Sequence, residues 1–171
     1  LLGLYYNVMM ATFVRIGKLE EAKNAGQQAI SCFREEGHSY LEHFIHIHLA
    51  DLDVIEGRLR KAMRGLSTAK RCLANSGLSY GNEVEVIEII ELAILYERGD
   101  FKKVRENSAR LRESLLKGDS WSELFLQLTR ISVLSIYFTE GLQAAQEELE
   151  IFQADYVRRH AERATTIDIL S

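Results

Sequence analysis

Apolar residues recur at three- and four-residue spacing along almost the whole chain, the period of a helix that buries one stripe rather than the alternation of a strand. Leu41, Ile45, His48, Leu52 and Ile55 mark one such stripe, and Leu59, Ala62, Leu66, Ala69 and Leu73 another. The pattern predicts helices over 1–16, 19–36, 39–56, 59–76, 80–98, 101–117, 120–140 and 143–160, with the start of a ninth at 161–171. Glycines fall between them at a steady cadence. Gly17, Gly57, Gly99 and Gly141 are 40, 42 and 42 residues apart, and Gly37, Gly77 and Gly118 interleave at 40 and 41. A glycine ends a helix in left-handed backbone without a Cβ clash, so two interleaved sets predict the turns of a repeat. The next member of the second set would fall near His160, where glycine is missing. Helix starts are signalled by Asp100, and by Asp119 with Ser120, short polar side chains that can accept orphan N–H groups. The expectation is an all-α chain of about four helical hairpins, spanning roughly 1–37, 38–77, 78–118 and 119–160 of a single domain, 1–171.

A short signature follows the first set of glycines: Gly17-Lys-Leu-Glu-Glu-Ala22, Gly57-Arg-Leu-Arg-Lys-Ala62 and Gly99-Asp-Phe-Lys-Lys-Val104, with a degraded fourth copy at Gly141 to Gln146. A tight turn, a large side chain to plug it and a small residue one turn on are what two closely approaching antiparallel helices need. Ala29 and Ala69, again small, and Phe33 and Leu73, again large, continue the correspondence. On these residues the sequence resembles a tetratricopeptide-repeat (TPR) array, whose units carry Gly-x-[Leu/Phe/Tyr]-x-x-Ala between two helices. HEAT and armadillo repeats have a compatible length, but the signature favours the TPR-like reading. The fit slips by one residue in the second unit, where Asp53 stands at a usually aromatic position that Tyr96 and Phe138 supply later. A period of 40–42 instead of 34 and the absence of proline make the chain similar to the helical repeat region of bacterial MalT-type, LuxR-family ATP-dependent transcription regulators. That resemblance implies a right-handed superhelix, a cytoplasmic location and a sensing role between a nucleotide-binding and a DNA-binding domain.

Composition narrows the function classes. The chain has 171 residues, 47% of them hydrophobic, enough to fill a core, and no proline that would break a long helix. A net charge of -4 gives no general attraction to nucleic acid or membrane, and no apolar run is long enough to span a bilayer. The chain starts at Leu1, and residues 161–171 stop in mid-pattern, as expected of a piece of a longer protein. Cys32 and Cys72 each lie 15 residues past their unit's glycine, equivalent places in neighbouring units and too far apart for a disulfide. Free thiols fit a reducing compartment.

Candidate chemistry is sparse. His38, His43, His46 and His48 cluster near Glu42, and Glu42 with His46 shares a helix face, so a zinc or copper site can be drawn. The order lacks His-Glu-x-x-His, and the reading is surface and core histidines with no metal and no cofactor. Arg58, Arg60, Lys61, Arg64, Lys70 and Arg71 form a basic stripe, read as a solvated or intramolecular docking face without direct nucleic-acid contact. Phosphate loops and a Gly-x-Ser-x-Gly elbow are absent, so no enzymatic activity is expected.

The resemblance implies that first helices line a concave face. Carrying its groove positions across, with Ala11, Ala50, Ala93 and Ser135 as anchors, selects Tyr5, Phe44, Ile47, Asp51, Ile87, Ile90, Ile94, Glu97, Ser132 and Ile136. So apolar a surface is either a groove for a protein, a peptide or a small effector, or is packed internally or covered by other domains of the parent chain. The expected function is non-catalytic signal sensing and protein interaction in a LuxR-type regulator. A generic TPR-like scaffold unrelated to transcription is the alternative. A homodimer is compatible with uncapped terminal repeats.

Overall fold

The computed structural model of the chain describes residues 1–77, 82–117 and 122–170, with side chains placed except at 39 and 160–170. It is all-α: eight helices and no strand among the described residues. In chain order they are α1 (Leu2–Arg15), α2 (Leu19–Glu35), α3 (Glu42–Ile55), α4 (Leu59–Asn75), α5 (Asn82–Glu97), α6 (Phe101–Lys117), α7 (Ser122–Glu140) and α8 (Leu142–Leu170), with a single 3-10 turn, Ser39–Leu41, before α3.

The expected ninth helix is not separate: α8 runs on through 161–170. No glycine or proline stands at 155–165 to stop it, and Ala161, Glu162, Arg163 and Ala164 are all at home in a helix. The glycine turns are where the cadence put them, with positive φ at Gly17, Gly37, Gly57, Gly77, Gly99 and Gly141; Gly118 lies outside the described residues. At Gly57, φ is 73°. That left-handed step lets the Arg58 N–H reach back to the Asp53 carbonyl at 2.7 Å while the Gly57 N–H donates to Val54, closing the end of α3. Asp100 caps α6, accepting the Lys103 backbone N–H, while Asp119 and Ser120 lie outside the described residues.

Packing divides the chain into two units, Leu1–Ile94 and Leu95–Ser171, the boundary falling inside α5. In the first, α1 packs on α2, α2 on α3 and α3 on α4. Two clusters flank α3. Met10, Ala22, Ala29, Ile30 and Phe33 meet Ile45 and Leu52 on one side, and Ala62, Leu66, Ala69 and Leu73 meet Ile47 and Ala50 on the other. The helices touch closely at Gly65, where an added Cβ would lie 3.2 Å from that of Ala50. In the second unit α6 packs on α7 and α7 on α8, with Leu111, Leu115, Leu128 and Phe152 in the interior. The equivalent positions five residues past the turn glycines, Ala22, Ala62 and Val104, are all fully buried, as the close-crossing argument requires.

Candidate functional site

α3 is amphipathic in an unusual way. Two of its faces feed the two flanking clusters, which leaves a narrow third face for solvent. His48, Asp51 and Ile55 are exposed along that face at i, i+3 and i+7. On α1 the exposed Tyr5, Val8 and Thr12 have the same spacing. His48 and Asp51 keep solvent-accessible surface, yet enough protein surrounds them to desolvate their charged forms. Burial lowers the pKa of His48 below the ordinary imidazole value and raises that of Asp51 above the ordinary carboxyl value.

The residues selected from the sequence are therefore divided. Tyr5, Asp51 and Glu97 are exposed and Phe44 is half-buried. Ile47, Ile87, Ile90 and Ile94 are brought together, but in the core around Ala50 and Leu66, not in an open groove. Internal packing, the second of the two expectations for these isoleucines, is where the structure places them. The reason is geometric: α3 and α5 each bury two faces, so a single-face projection lands on the wall that meets the neighbouring helix. Ser132 and Ile136 are buried in the second unit, where the Ser132 hydroxyl donates to Glu148 at 3.2 Å. His48, expected on the buried stripe, is instead exposed, and so is Ile55.

Asp53, the departure from the repeat pattern, is buried and accepts from Arg58 Nε at 2.9 Å and Lys61 Nζ at 3.1 Å. Its carboxylate thus holds the start of α4. Lys70 pairs with Glu91 at 2.6 Å. Half of the basic stripe is thereby engaged within the chain. In the second unit Tyr96 and Phe138, supplied at that same pattern position, pack around Phe101, which stacks on Phe138 with centroids 5.8 Å apart.

At the other end of the α3–α4 hairpin Glu42 and His46, paired on one helix face by their spacing, are joined by a third donor, Cys72, that the sequence did not group with them. Ligating atoms of Glu42, His46 and Cys72 lie within 4.8 Å of one another. Glu42 is buried and gripped by Arg34, whose Nε and Nη2 donate to its two oxygens at 3.0 and 2.7 Å. His46 Nε2 is buried, lacks a hydrogen-bond partner and stands 3.7 Å from Glu42 Oε2. Burial lowers the His46 pKa against the opposing pull of Glu42, and burial, then the Glu42 charge, raises that of Cys72. His43 is turned away, its Nδ1 2.6 Å from the Tyr40 carbonyl. Both cysteines are free thiols. One signal could have exposed the cluster: Glu42 and Cys72 each lie 15 residues from Gly57, on opposite sides, and so face each other across an antiparallel hairpin. Beside His46, a cavity of about 240 Å³ is lined by Lys23, Gln27, Asp53, Lys61 and Arg64.

The fold thus defines a class, an all-α protein of glycine-closed helical hairpins, and no helix among the described residues is long and apolar enough to cross a membrane. Comparison with family models, curated proteins and solved structures finds no match.

Proposed function

We propose that this chain is a non-catalytic sensing and protein-interaction domain of a cytoplasmic LuxR-type transcription regulator, its hairpins stacked as a right-handed TPR-like superhelix. The observation that carries the reading is that each of two first helices leaves a strip exposed at i, i+3 and i+7, Tyr5-Val8-Thr12 on α1 and His48-Asp51-Ile55 on α3. First helices in a TPR-like stack line one groove, and a strip mixing aromatic, aliphatic and ionisable groups suits a protein or peptide segment. The recurring Gly-x-[Leu/Phe]-x-x-[Ala/Val] turns, with their buried small residues, support the stacked-hairpin part of the reading.

The test uses the intact regulator. Tyr5→Ala combined with Asp51→Ala removes groups from the outward face without opening the core, so the effector or partner response is expected to fail while the chain stays folded and melts no lower than wild type at neutral pH. A normal response in that variant refutes the proposed face. A parent chain lacking an upstream nucleotide-binding domain and a downstream helix-turn-helix moves the reading to a scaffold unrelated to transcription.

A further inference from the structure

We propose that Glu42, His46 and Cys72 form a three-ligand site for one zinc ion, with a solvent molecule as fourth ligand. The site stands apart from the outward face of α1 and α3 and does not depend on it. Its donors are one carboxylate, one imidazole and one thiol, the oxygen, nitrogen and sulfur set that suits zinc better than the hard cations.

Distance makes the case first. Two ligands bound to one tetrahedral zinc at about 2.0–2.3 Å stand roughly 3.4–3.6 Å apart. His46 Nε2 and Glu42 Oε2 are 3.7 Å apart, too long for a hydrogen bond and close to the separation of two atoms sharing a cation. All three ligating atoms lie within 4.8 Å of one another, so a side-chain adjustment on the order of 1 Å brings the sulfur in.

Satisfaction of polar atoms makes it second. A buried imidazole nitrogen without a partner carries a desolvation cost that native structures seldom leave standing, and His46 Nε2 is such an atom. Its lone pair is free to coordinate in the neutral tautomer protonated at Nδ1. Arg34 does not occupy the carboxylate fully, since each oxygen has two lone pairs and the guanidinium uses one on each. It acts as the outer partner that fixes a ligating carboxylate in place. When the Zn–S bond forms, the Cys72 thiol proton leaves to solvent, so binding releases about one proton per ion.

The consequence is mechanical. Glu42 and His46 open α3, whereas Cys72 sits near the end of α4. A shared ion would pin the end of the hairpin that lies opposite its Gly57 turn and couple metal occupancy to the packing of that hairpin.

Cobalt(II) titrated into the metal-free 171-residue chain is the probe, because a cobalt–thiolate bond has its own near-ultraviolet charge-transfer band. The expected result is that band at one cobalt per chain, its displacement by zinc, its loss in Cys72→Ser, at least tenfold weaker binding in His46→Ala and no change in Cys32→Ser. A wild-type titration without the band, or a band that survives Cys72→Ser, overturns the site. Should the variants lose their helical signal, alkylation of the wild-type chain decides. Zinc is expected to slow labelling of Cys72 relative to Cys32, and an unchanged ratio refutes the proposal.

Discussion

Two glycines inside helices separate close approach from tolerance. A Cβ on Gly3 would sit 2.4 Å from the Phe33 ring, which is itself fully buried, so either the ring or the start of α1 must move. Gly3→Ala is expected to cost about 1–2 kcal/mol, because overpacking of about 1–3 kcal/mol outweighs at most about 1 kcal/mol of helix propensity. At Gly65 the added Cβ meets the Ala50 Cβ at 3.2 Å, with the His46 carbonyl oxygen and the Ala50 Cα at ordinary contact distances of 3.6 and 3.7 Å, so Gly65→Ala is expected to fall within about 0.5 kcal/mol of wild type as propensity offsets the contact. Urea unfolding of the pair checks both, and equal effects would show that the Gly3 contact relaxes freely. The exposed face of α3 gives an opposite kind of prediction. Asp51 has a raised pKa in the folded chain, so its stability contribution is complete below the ordinary value of 3.8 and is lost as pH rises through the higher folded value. Ionised Asp51 is therefore a cost at pH 7. Asp51→Asn should melt higher than wild type at neutral pH, with the gap closing as pH approaches 3.8, and a gap constant with pH refutes desolvation as its cause. His48, with its lowered pKa, works the other way, weakening the fold as pH falls below 6.5.

Elements were legible to the extent that one face or one turn decided them. Helix ends followed from glycine chemistry, and α4 followed from a single clean stripe in which Ala62, Leu66, Ala69 and Leu73 are all buried. α3 and α5 were legible as helices, whereas the choice between groove and internal packing for their isoleucines was left open by the sequence. A helix with two buried faces has too broad an apolar arc for periodicity to choose an outward side, and Ile47, Ile90 and Ile94 then look like groove and core alike. Asp53 illustrates the same limit. As a departure from a repeat pattern it reads as a weak point, and only the placement of Arg58 and Lys61 shows a buried carboxylate tying the turn to the next helix. The convergence of Glu42, His46 and Cys72 depends on hairpin register across thirty residues, which spacing within one helix does not reveal.

At the scale of the molecule the glycines of the forty-odd-residue cadence that lie among the described residues all stand in left-handed turns, and where the glycine is missing near 160 there is no stop, so α8 continues to Leu170. The two units within the chain were not legible, because the glycine series runs at even spacing through both of them while the boundary falls inside α5. That boundary makes a prediction about cooperativity. Stacked-hairpin chains draw stability from each unit and its neighbours, so damage is felt first where it is made. Ile90→Asp places an unpaired charge among Ile47, Leu66 and Ile87 in the first unit, where burying a charge without a partner is costly. Phe152→Ala removes a buried ring that packs edge-on against Phe125 at 5.3 Å and beneath the Arg112 guanidinium at 5.1 Å in the second unit. The loss there should be about 3–5 kcal/mol. Hydrogen exchange by mass spectrometry is expected to show two complementary maps. Ile90→Asp strips protection from α3 and α4 while peptides around Leu111 and Leu128 stay protected, and Phe152→Ala does the reverse. If either substitution deprotects both regions to the same degree, the chain unfolds as one cooperative block, and the division inside α5 has no energetic meaning.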